Sequence, residues 1–209
     1  MSTPNDNNGI STESRIIDAA KSLFIEKGYA ETSMSDIAAR AEINRPALHY
    51  YFRTKDKMFH AVIGDIVSAI VPRVYELLMQ RGLPIADRIE GVIDAYFALF
   101  KQNPRLPMFI LREMNRDAGM LIDTITRLHL KEKLETVILS IENEMESGKL
   151  NRIPVRFLFF NFYGMLLTPF LAQDLVCTAL LEDGETFDQM LANWKPCIMQ
   201  QMLNLLQPR

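Results

Sequence analysis

A short predicted helix carries side chains that can recognise nucleic-acid bases on one outer face. Arg45 and His49 offer hydrogen-bonding groups there and Tyr50 offers an aromatic ring, whereas Leu48 and Phe52 point inward. The major groove of DNA admits one α-helix and displays a distinct donor and acceptor pattern for each base pair. The spacing therefore predicts a recognition helix, with base contacts from Arg45, Ala47, His49 and Tyr50.

Basic residues concentrate around this helix. Between residues 40 and 57 the chain has five basic and two acidic residues, whereas the whole chain of 209 residues has a net charge of −3. A local positive patch on an acidic protein indicates a small DNA-reading face on a larger body. The predicted phosphate contacts are Ser33, Tyr51, Arg53 and Lys55. Tyr51 could instead be a core aromatic residue, and Arg40 and Lys57 could simply be solvated.

Two capped helices and one preceding helix are predicted to position these groups. Ser33 followed by Asp36 resembles a capping box that begins one short helix. Asn44 caps the next helix, and Pro46, which we include in the predicted DNA-binding face, lies in its first turn. A helix from about Thr12 to Lys27 comes before both. Three helices in this order, the last two joined by a tight turn, make a helix-turn-helix.

A run of motifs from residue 16 to residue 62 strengthens this prediction. The motifs are Ala19-Ala20, Leu23-Phe24, Gly28-Tyr29, Thr32-Ser33, Asp36-Ile37-Ala38, Tyr51-Phe52 and Lys55. In this order they resemble the TetR family of transcriptional regulators. Two departures are visible: Glu42 stands where the family's turn usually has Gly, and Leu48-His49-Tyr50-Tyr51-Phe52 replaces the commoner Leu-Tyr-His-Tyr-Phe. The second departure changes the groups offered to bases, so no operator sequence can be carried over.

The rest of the chain also shows helical periodicity. The predicted fold is all-α: an N-terminal three-helix helix-turn-helix DNA-binding domain and a larger C-terminal helical domain for ligand binding and dimerisation. Residues 1–10 are predicted to be a disordered tail, 11–54 the DNA-binding domain and 55–209 the helical body. Within the body, 55–82 form a connector helix that Pro72 should kink or break. Further helices are predicted at 85–102, 106–115, 120–147, 154–173 and 186–206.

Two helices near the C-terminus are predicted to pair with a second copy. Helix-turn-helix proteins usually dimerise so that two recognition helices reach two half-sites. The helix after Pro154 is apolar on nearly all sides and therefore needs a second burial partner. The alternative is that these helices only fill the monomer's own core. The predicted homodimer interface is Phe157, Phe160, Met165, Phe170, Trp194, Ile198 and Met202.

Apolar residues with a few polar neighbours lie between the connector and these helices, as small-molecule sites require. Most of the apolar residues could equally be core, and Arg112 with Glu113 could be a surface ion pair. The predicted ligand pocket is Phe97, Phe100, Arg112, Asn161 and Tyr163. The TetR resemblance implies that an effector in the body tilts the fourth helix, changes the separation of the recognition helices and releases the operator.

Other functional classes find little support in the sequence. The three histidines lack metal-ligand spacing and no phosphate loop or nucleophile motif occurs, so we predict no catalytic residues, no metal and no cofactor. No signal peptide or apolar run of about 18 residues is present, which favours a cytoplasmic protein without membrane association. The prediction is a regulator, most simply a repressor, with double-stranded operator DNA and an unknown apolar or amphipathic effector as partners. An activator of the same fold and a ligand-free helical interaction module are the alternatives.

Overall fold

The computed structural model describes residues 11–208 and confirms the all-α prediction: this part of the chain contains no strand. The tail predicted for residues 1–10 lies outside the described residues. The helices are α1 (Thr12–Glu31), α2 (Met34–Arg40), α3 (Arg45–Tyr51), α4 (Lys55–Leu78), α5 (Ile85–Gln102), α6 (Leu106–Arg116), α7 (Ala118–Arg127), α8 (Leu130–Glu146), α9 (Val155–Leu171), α10 (Gln173–Leu175) and α11 (Phe187–Leu206). A short π-helical segment, Val176–Leu180, follows α10.

The chain forms two compact units. The first unit comprises the chain up to Ala69 together with Phe109–Leu128, and the second comprises Ile70–Met108 and the chain from His129 onward. The helices α4 and α6 each contribute residues to both units.

Aromatic packing forms the core of the first unit. Phe24 of α1 meets Phe59 of α4 edge-on, with ring centroids 5.0 Å apart, and Phe59 meets Phe109 of α6 at 6.0 Å. His60 Nδ1 of α4 lies 3.0 Å from the hydroxyl of Thr124 in α7. The segment containing α6 and α7 therefore packs on α4, although α5 separates the two in sequence.

The second unit is built around α5, α9 and α11. Apolar residues three and four apart on α5 are buried, and α11 packs against both α5 and α9. Arg88 of α5 joins α8 through Glu144, with Nη2 2.6 Å from the carboxylate. Within residues 11–208 no single helix is long and apolar enough to cross a membrane, although the bent pair Val155–Leu171 and Gln173–Leu180 together meets the criterion of length and composition.

Three predicted helix boundaries need correction or refinement. The single helix predicted at 120–147 is wrong, because His129 adopts a left-handed backbone (φ 53°) and separates α7 from α8. Pro72 does not end its helix, since α4 continues to Leu78; the carbonyl of Ser68 loses its helical donor but lies at an exposed position. Gly28, the residue after the predicted helix end at Lys27, has a φ of 85°, and the helix kinks there and resumes to Glu31.

Candidate nucleic-acid interface and internal cavity

The recognition helix α3 is fixed at both its start and its inner face. Asn44 Oδ1 accepts the backbone N–H of Ala47 at 2.8 Å, and Pro46 lies in the first turn, where its missing N–H costs nothing. Leu48 is fully buried and Phe52 is almost so. These contacts hold one side of α3 against the first unit and leave the other side free.

The free side of α3 carries the predicted base-reading groups. Tyr50 is 83% exposed and packs edge-on against Tyr51, with ring centroids 5.3 Å apart. Arg45 is exposed, while Ala47 and His49 are half-buried. Among residues 11–208, no carboxylate forms an ion pair with Arg45 or with the exposed Arg53. Their guanidinium groups can therefore reach base edges or phosphates without first breaking an internal pair.

The turn between α2 and α3 is a Schellman motif with glutamate in its left-handed position. The N–H of Ile43 donates to the carbonyl of Ala38 at 3.0 Å, and the N–H of Glu42 donates to that of Ala39 at 3.2 Å. Glu42 has a φ of 55°. Arg15 of α1 donates to the carbonyl of Ala41 at 2.9 Å and so ties the turn to the first helix.

The capping box at the start of α2 uses both donors of Ser33. Its N–H and its hydroxyl donate to Asp36 Oδ2 at 3.0 and 2.8 Å, and its Oγ accepts the N–H of Asp36. These bonds to Ser33 lower the pKa of the Asp36 carboxyl. The predicted phosphate contact of Ser33 therefore requires that either its N–H or its hydroxyl breaks the hydrogen bond to Asp36.

Lys55 belongs to a cluster centred on Tyr29. Its Nζ donates to the carbonyl of Ala30 at 3.3 Å and lies 4.3 Å from the Tyr29 ring centroid. The guanidinium of Arg116 lies at the same distance from that ring, and the Tyr29 hydroxyl donates to Asp56. Burial, followed by the bond to Asp56, raises the pKa of Tyr29 to about 12. An ammonium has three donors, so Lys55 can still bind a phosphate.

The sequence indicated only part of this cluster. Tyr29 belongs to the Gly28-Tyr29 motif, which assigns it no contact, and nothing in the sequence connects Arg116 with it. Arg40 is not a purely solvated residue: its guanidinium donates to Ser22 at 3.1 Å and to the carboxylate of Glu26 at 3.3 Å, and the bond to Glu26 raises its pKa. Lys57 is exposed, as the solvated alternative requires.

The second unit contains an apolar cavity of about 610 Å³, within the range of roughly 300–1,000 Å³ that is usual for small-molecule sites. Its wall is formed by α4, α5, α8, α9 and α11. Most of its wall consists of aliphatic and aromatic side chains. From α4 and α5 these are Val71, Val74, Tyr75, Leu78, Ile85, Ile89, Val92 and Tyr96.

Tyr96 and Tyr163 supply the polar groups of the wall that are buried most deeply. Their hydroxyl oxygens lie 2.5 Å apart in a hydrogen bond. Burial raises the pKa of both phenols. Both therefore stay neutral at physiological pH, and the pair presents hydroxyl dipoles rather than charge to the cavity.

Comparison with known proteins gives the same result for fold and class. The sequence model of "Bacterial regulatory proteins, tetR family" matches residues 16–62. The probable HTH-type transcriptional regulator YttP of Bacillus subtilis is 25% identical over 180 residues, 82% of this chain and 83% of that protein. The HTH-type transcriptional repressor Rv3405c of Mycobacterium tuberculosis is 36% identical over 81 residues, 39% of this chain and 40% of that protein.

Residues 16–62 are the DNA-binding domain of the TetR family of bacterial regulatory proteins. Among solved structures, FadR of Bacillus subtilis in complex with stearoyl-CoA superposes with a TM-score of 0.68 and 17% identity, over 90% of this chain and 96% of that one. At this identity the likeness shows the fold alone. The helix-turn-helix, DNA-binding and transcription-regulation predictions are thereby confirmed at the level of the family.

Only one residue of the predicted ligand pocket lines the cavity of the second unit. Tyr163 does so. Phe97 and Phe100 are buried against Phe170, with centroids 5.8 and 5.2 Å away, and Arg112 belongs to the first unit, where it donates to the carbonyl of Phe24 at 3.2 Å. Asn161 is exposed and donates to a carbonyl one turn earlier in α9.

The predicted dimer residues divide into two groups. Phe170, Ile198 and Met202 are buried within the protomer, and Trp194 donates to the carbonyl of Met165 at 3.1 Å. Phe157 and Phe160, by contrast, are 45% and 64% exposed. They share one face of α9 with Gly164, an exposed glycine at which an added Cβ would meet nothing within 4 Å.

Proposed function

We propose that this regulator is a homodimeric repressor whose hold on double-stranded operator DNA is released by an apolar or amphipathic small molecule. The observation that carries the proposal is the apolar cavity in the second unit. Four of its lining residues come from α4, the helix that begins at Lys55, immediately after the recognition helix. An effector acts if it binds the conformation that cannot span both half-sites more tightly than the DNA-bound one.

Two relatives support the finer parts of this proposal. The name of Rv3405c describes a repressor, and FadR of Bacillus subtilis, which has this fold, holds stearoyl-CoA, an amphipathic molecule. We therefore favour repression over activation. We also favour an effector with a substantial apolar part, since the cavity wall consists mainly of aliphatic and aromatic side chains.

The exposed face of α3 and the basic residues beside it form the proposed DNA contact. Base contacts come from Arg45, Ala47, His49 and Tyr50, with Pro46 at the start of the same helix. A guanidinium can bind a guanine bidentately, and a methyl group can contact a thymine methyl. Phosphate contacts come from Ser33, Tyr51, Arg53 and Lys55.

The proposed dimer uses the exposed faces of α9 and α11. Phe157 and Phe160 supply its apolar anchors, and Gly164 allows the partner's backbone to approach closely. Met165, Phe170, Trp194, Ile198 and Met202 support this face from inside the protomer. In this proposal residues 11–54 bind DNA, and residues 55–209 bind the effector and the second copy of the chain. The protein acts in the cytoplasm, where operator DNA is accessible.

An operator-binding experiment tests the DNA part of the proposal. DNA fragments selected by the purified protein supply the operator, and fluorescence anisotropy measures affinity. The variant with both Arg45→Ala and Tyr50→Ala should lose operator binding while its helicity and mass in solution remain unchanged. The control Arg73→Ala removes an exposed arginine of the second unit and should bind normally. Undiminished affinity of the double variant would mean that α3 is not the recognition helix.

A reporter assay tests the sign of regulation. With the selected operator upstream of a reporter gene, expression of the protein should reduce transcription. Expression of the variant carrying Arg45→Ala and Tyr50→Ala should not. Increased transcription with the unmodified protein would identify an activator.

A further inference from the structure

The cavity of the second unit is lined by charge of one sign only. Its wall includes the side chains of Lys133 from α8 and Arg156 from α9, and no carboxylate among residues 11–208 lines it. The Lys133 Nζ lies 5.5 Å from the ring centroid of Tyr75, and the Arg156 guanidinium carbon lies 4.9 Å from that of Phe157. Cation–π contacts of this kind orient the two groups without neutralising their charge.

Neither cation is paired with an acid. Within residues 11–208 no carboxylate lies within ion-pair distance of Lys133 or Arg156, although Lys131, two residues from Lys133, pairs with Glu135. Arg156 is exposed and Lys133 is half-buried, so both cations remain accessible to the headgroup of an anion whose apolar part lies against the cavity wall.

The residues that line the cavity extend along two of its helices. The α5 residues that line it extend from Ile85 to Tyr96, eleven residue steps, which at 1.5 Å per residue is about 16 Å of helix. Those of α9 extend from Val155 to Tyr163, or about 12 Å. Long apolar walls on neighbouring helices suit an extended chain better than a compact ring system.

The other polar side chains of the wall are the tyrosines Tyr75, Tyr96 and Tyr163, which offer hydrogen bonds but no cation to pair with a second anionic group. The hydroxyls of Tyr96 and Tyr163 are bonded to each other, so the pair has one hydrogen left to donate to a ligand. Such a group can accommodate an oxygen atom along a chain. It cannot neutralise a charged group, and a charge placed deep in the cavity would remain uncompensated.

We propose that the effector is an elongated apolar chain with one anionic headgroup, and that Lys133 and Arg156 bind this headgroup. This proposal rests on the proposed function of the cavity as an effector site. Its chemistry is shared by free fatty acids, whose head is a carboxylate, and by acyl thioesters of coenzyme A, whose phosphates carry the charge. Arg156 can bind either group bidentately, and Lys133 acts as a point charge.

A binding series with matched headgroups tests the proposal. The full-length protein is titrated with dodecanoate, dodecanoyl-CoA, neutral dodecanol and cationic dodecyltrimethylammonium, each below the concentration at which it forms micelles. At least one anionic compound should bind about tenfold more tightly than dodecanol, the equivalent of about 1.4 kcal/mol, and the cationic compound should bind more weakly than both. Preference for dodecanoate identifies a carboxylate as the head, and binding of the thioester alone identifies a phosphate.

Charge-removing variants locate the headgroup. In the variant with Lys133→Gln and Arg156→Gln the anionic compound should lose about tenfold in affinity, while dodecanol binds as before. The control variant with Lys131→Gln and Arg152→Gln removes the same charge from neighbouring exposed positions and should keep the preference. Circular dichroism and thermal unfolding of both variants show whether each remains folded.

The possible failures are distinguishable. If dodecanol binds as tightly as the anions, or if the preference survives removal of Lys133 and Arg156, the headgroup proposal is overturned and the effector cavity stands. If none of the four compounds binds, both the headgroup proposal and an apolar effector in this cavity are overturned.

Discussion

Glu42 is one of two non-glycine residues between 11 and 208 whose backbone adopts a positive φ. It has a φ of 55° within the turn that orients the recognition helix. For an L-residue other than glycine this conformation costs roughly 1–2 kcal/mol. The two hydrogen bonds of the Schellman motif and the contact between Arg15 and the carbonyl of Ala41 hold the turn in place despite that cost.

Replacing Glu42 with glycine should therefore stabilise the protein. Glycine removes the strain but gives the unfolded chain more freedom, so we expect Glu42→Gly to raise the free energy of unfolding by about 0.5–1 kcal/mol. Urea unfolding measures this difference. The control Glu42→Gln removes the charge and keeps the strained side chain, so its stability should stay near that of the unmodified protein. Equal stability of the two variants would show that the turn carries no strain.

Sequence reasoning succeeded at single residues where one local signal decides. A side chain between Asn44 and Phe52 points inward or outward according to its position along one short helix, and the structure buries Leu48 and exposes Tyr50 accordingly. The sequence also marks Glu42 as unusual, because TetR-like chains usually have glycine at this position of the turn. It could not pair Arg116 with Tyr29, because no local pattern encodes a contact between side chains so distant in sequence.

At the scale of elements, the kink of α1 meets α6 at Gly28. This glycine has a φ of 85°, and a Cβ built on it would lie 2.9 Å from the guanidinium carbon of Arg112. The same guanidinium donates to the carbonyl of Phe24 at 3.2 Å. The kink and the arginine are therefore packed together, and a side chain at residue 28 would disturb both.

Gly28→Ala should destabilise the protein by about 1–2 kcal/mol, since alanine is strained at this φ wherever there is space for it. Two causes can contribute to this loss, the backbone strain and a clash of the new methyl group with Arg112. Combining Gly28→Ala with Arg112→Ala separates them. If the clash contributes, the alanine costs less in the absence of Arg112; if strain alone acts, its cost is unchanged. Thermal unfolding of the four proteins in the cycle measures the difference. A Gly28→Ala variant as stable as the unmodified protein would contradict both causes.

The Arg88–Glu144 pair connects α5 with α8 and makes the second unit sensitive to acid. Arg88 is 3% exposed, donates to both oxygens of Glu144 at 2.9 and 2.6 Å, and also donates to the carbonyl of Leu78 at the end of α4. The bonds from Arg88 are the main cause that lowers the pKa of the Glu144 carboxyl. A carboxyl group with a lowered pKa stabilises the folded state at pH values above its ordinary pKa. This contribution disappears as the pH falls through the lowered pKa.

Acid unfolding should therefore differ when Arg88 is removed. In the unmodified protein the contribution of Glu144 is complete above pH 4.5, its ordinary pKa, and is lost as pH falls through the lowered value. In Arg88→Met the free energy of unfolding is lower at neutral pH and falls less steeply below pH 4.5. Urea titrations at several pH values measure both slopes. The control Lys101→Met breaks an exposed pair with Asp188 and should keep the original slope; an unchanged slope in Arg88→Met would contradict this role of the pair.

Element boundaries were predictable where glycine or proline marks them and not elsewhere. Gly28 lies at the kink of α1, next to the predicted helix end at Lys27, and α5 begins at the predicted Ile85, directly after Pro84. The break at His129 has no such marker: the sequence Arg127-Leu128-His129-Leu130 is compatible with a continuous helix, and only the folded chain puts His129 at a φ of 53°. Packing of α7 in the first unit and α8 in the second accompanies this break.

At the scale of the whole molecule, sequence patterns predicted that a dimer face and a cavity exist better than they predicted which residues form them. The prediction that α9 needs a second burial partner used its apolar character on all sides, but the same pattern cannot tell inner from outer apolar residues. Phe170, Ile198 and Met202 are buried within the protomer, whereas Phe157 and Phe160 are exposed. A cavity was likewise expected, but its wall comes from α4, α5, α8, α9 and α11, with more residues from α9 than from any other helix, because helix packing, not composition, decides where space remains.

The exposed face of α9 offers a test of the proposed homodimer that does not depend on folding of the protomer. Gly164 lies on this face inside the helix, with nothing within 4 Å of an added Cβ. Gly164→Glu therefore fits the protomer, and it should favour α9 by about 0.5–1 kcal/mol, because glycine is a poor helix former. In a dimer that packs α9 against its partner, the same glutamate would be buried without a counter-charge.

We expect Gly164→Glu to shift the protein from dimer to monomer in analytical ultracentrifugation while its helicity stays the same. Operator affinity should fall with it, and the slope of its logarithm against the logarithm of salt concentration should decrease toward half, because one recognition helix displaces fewer phosphate counterions than two. Gly82→Glu makes the same substitution at another open glycine of the second unit and should remain dimeric. A Gly164→Glu protein that sediments as a dimer would place the interface on a different surface.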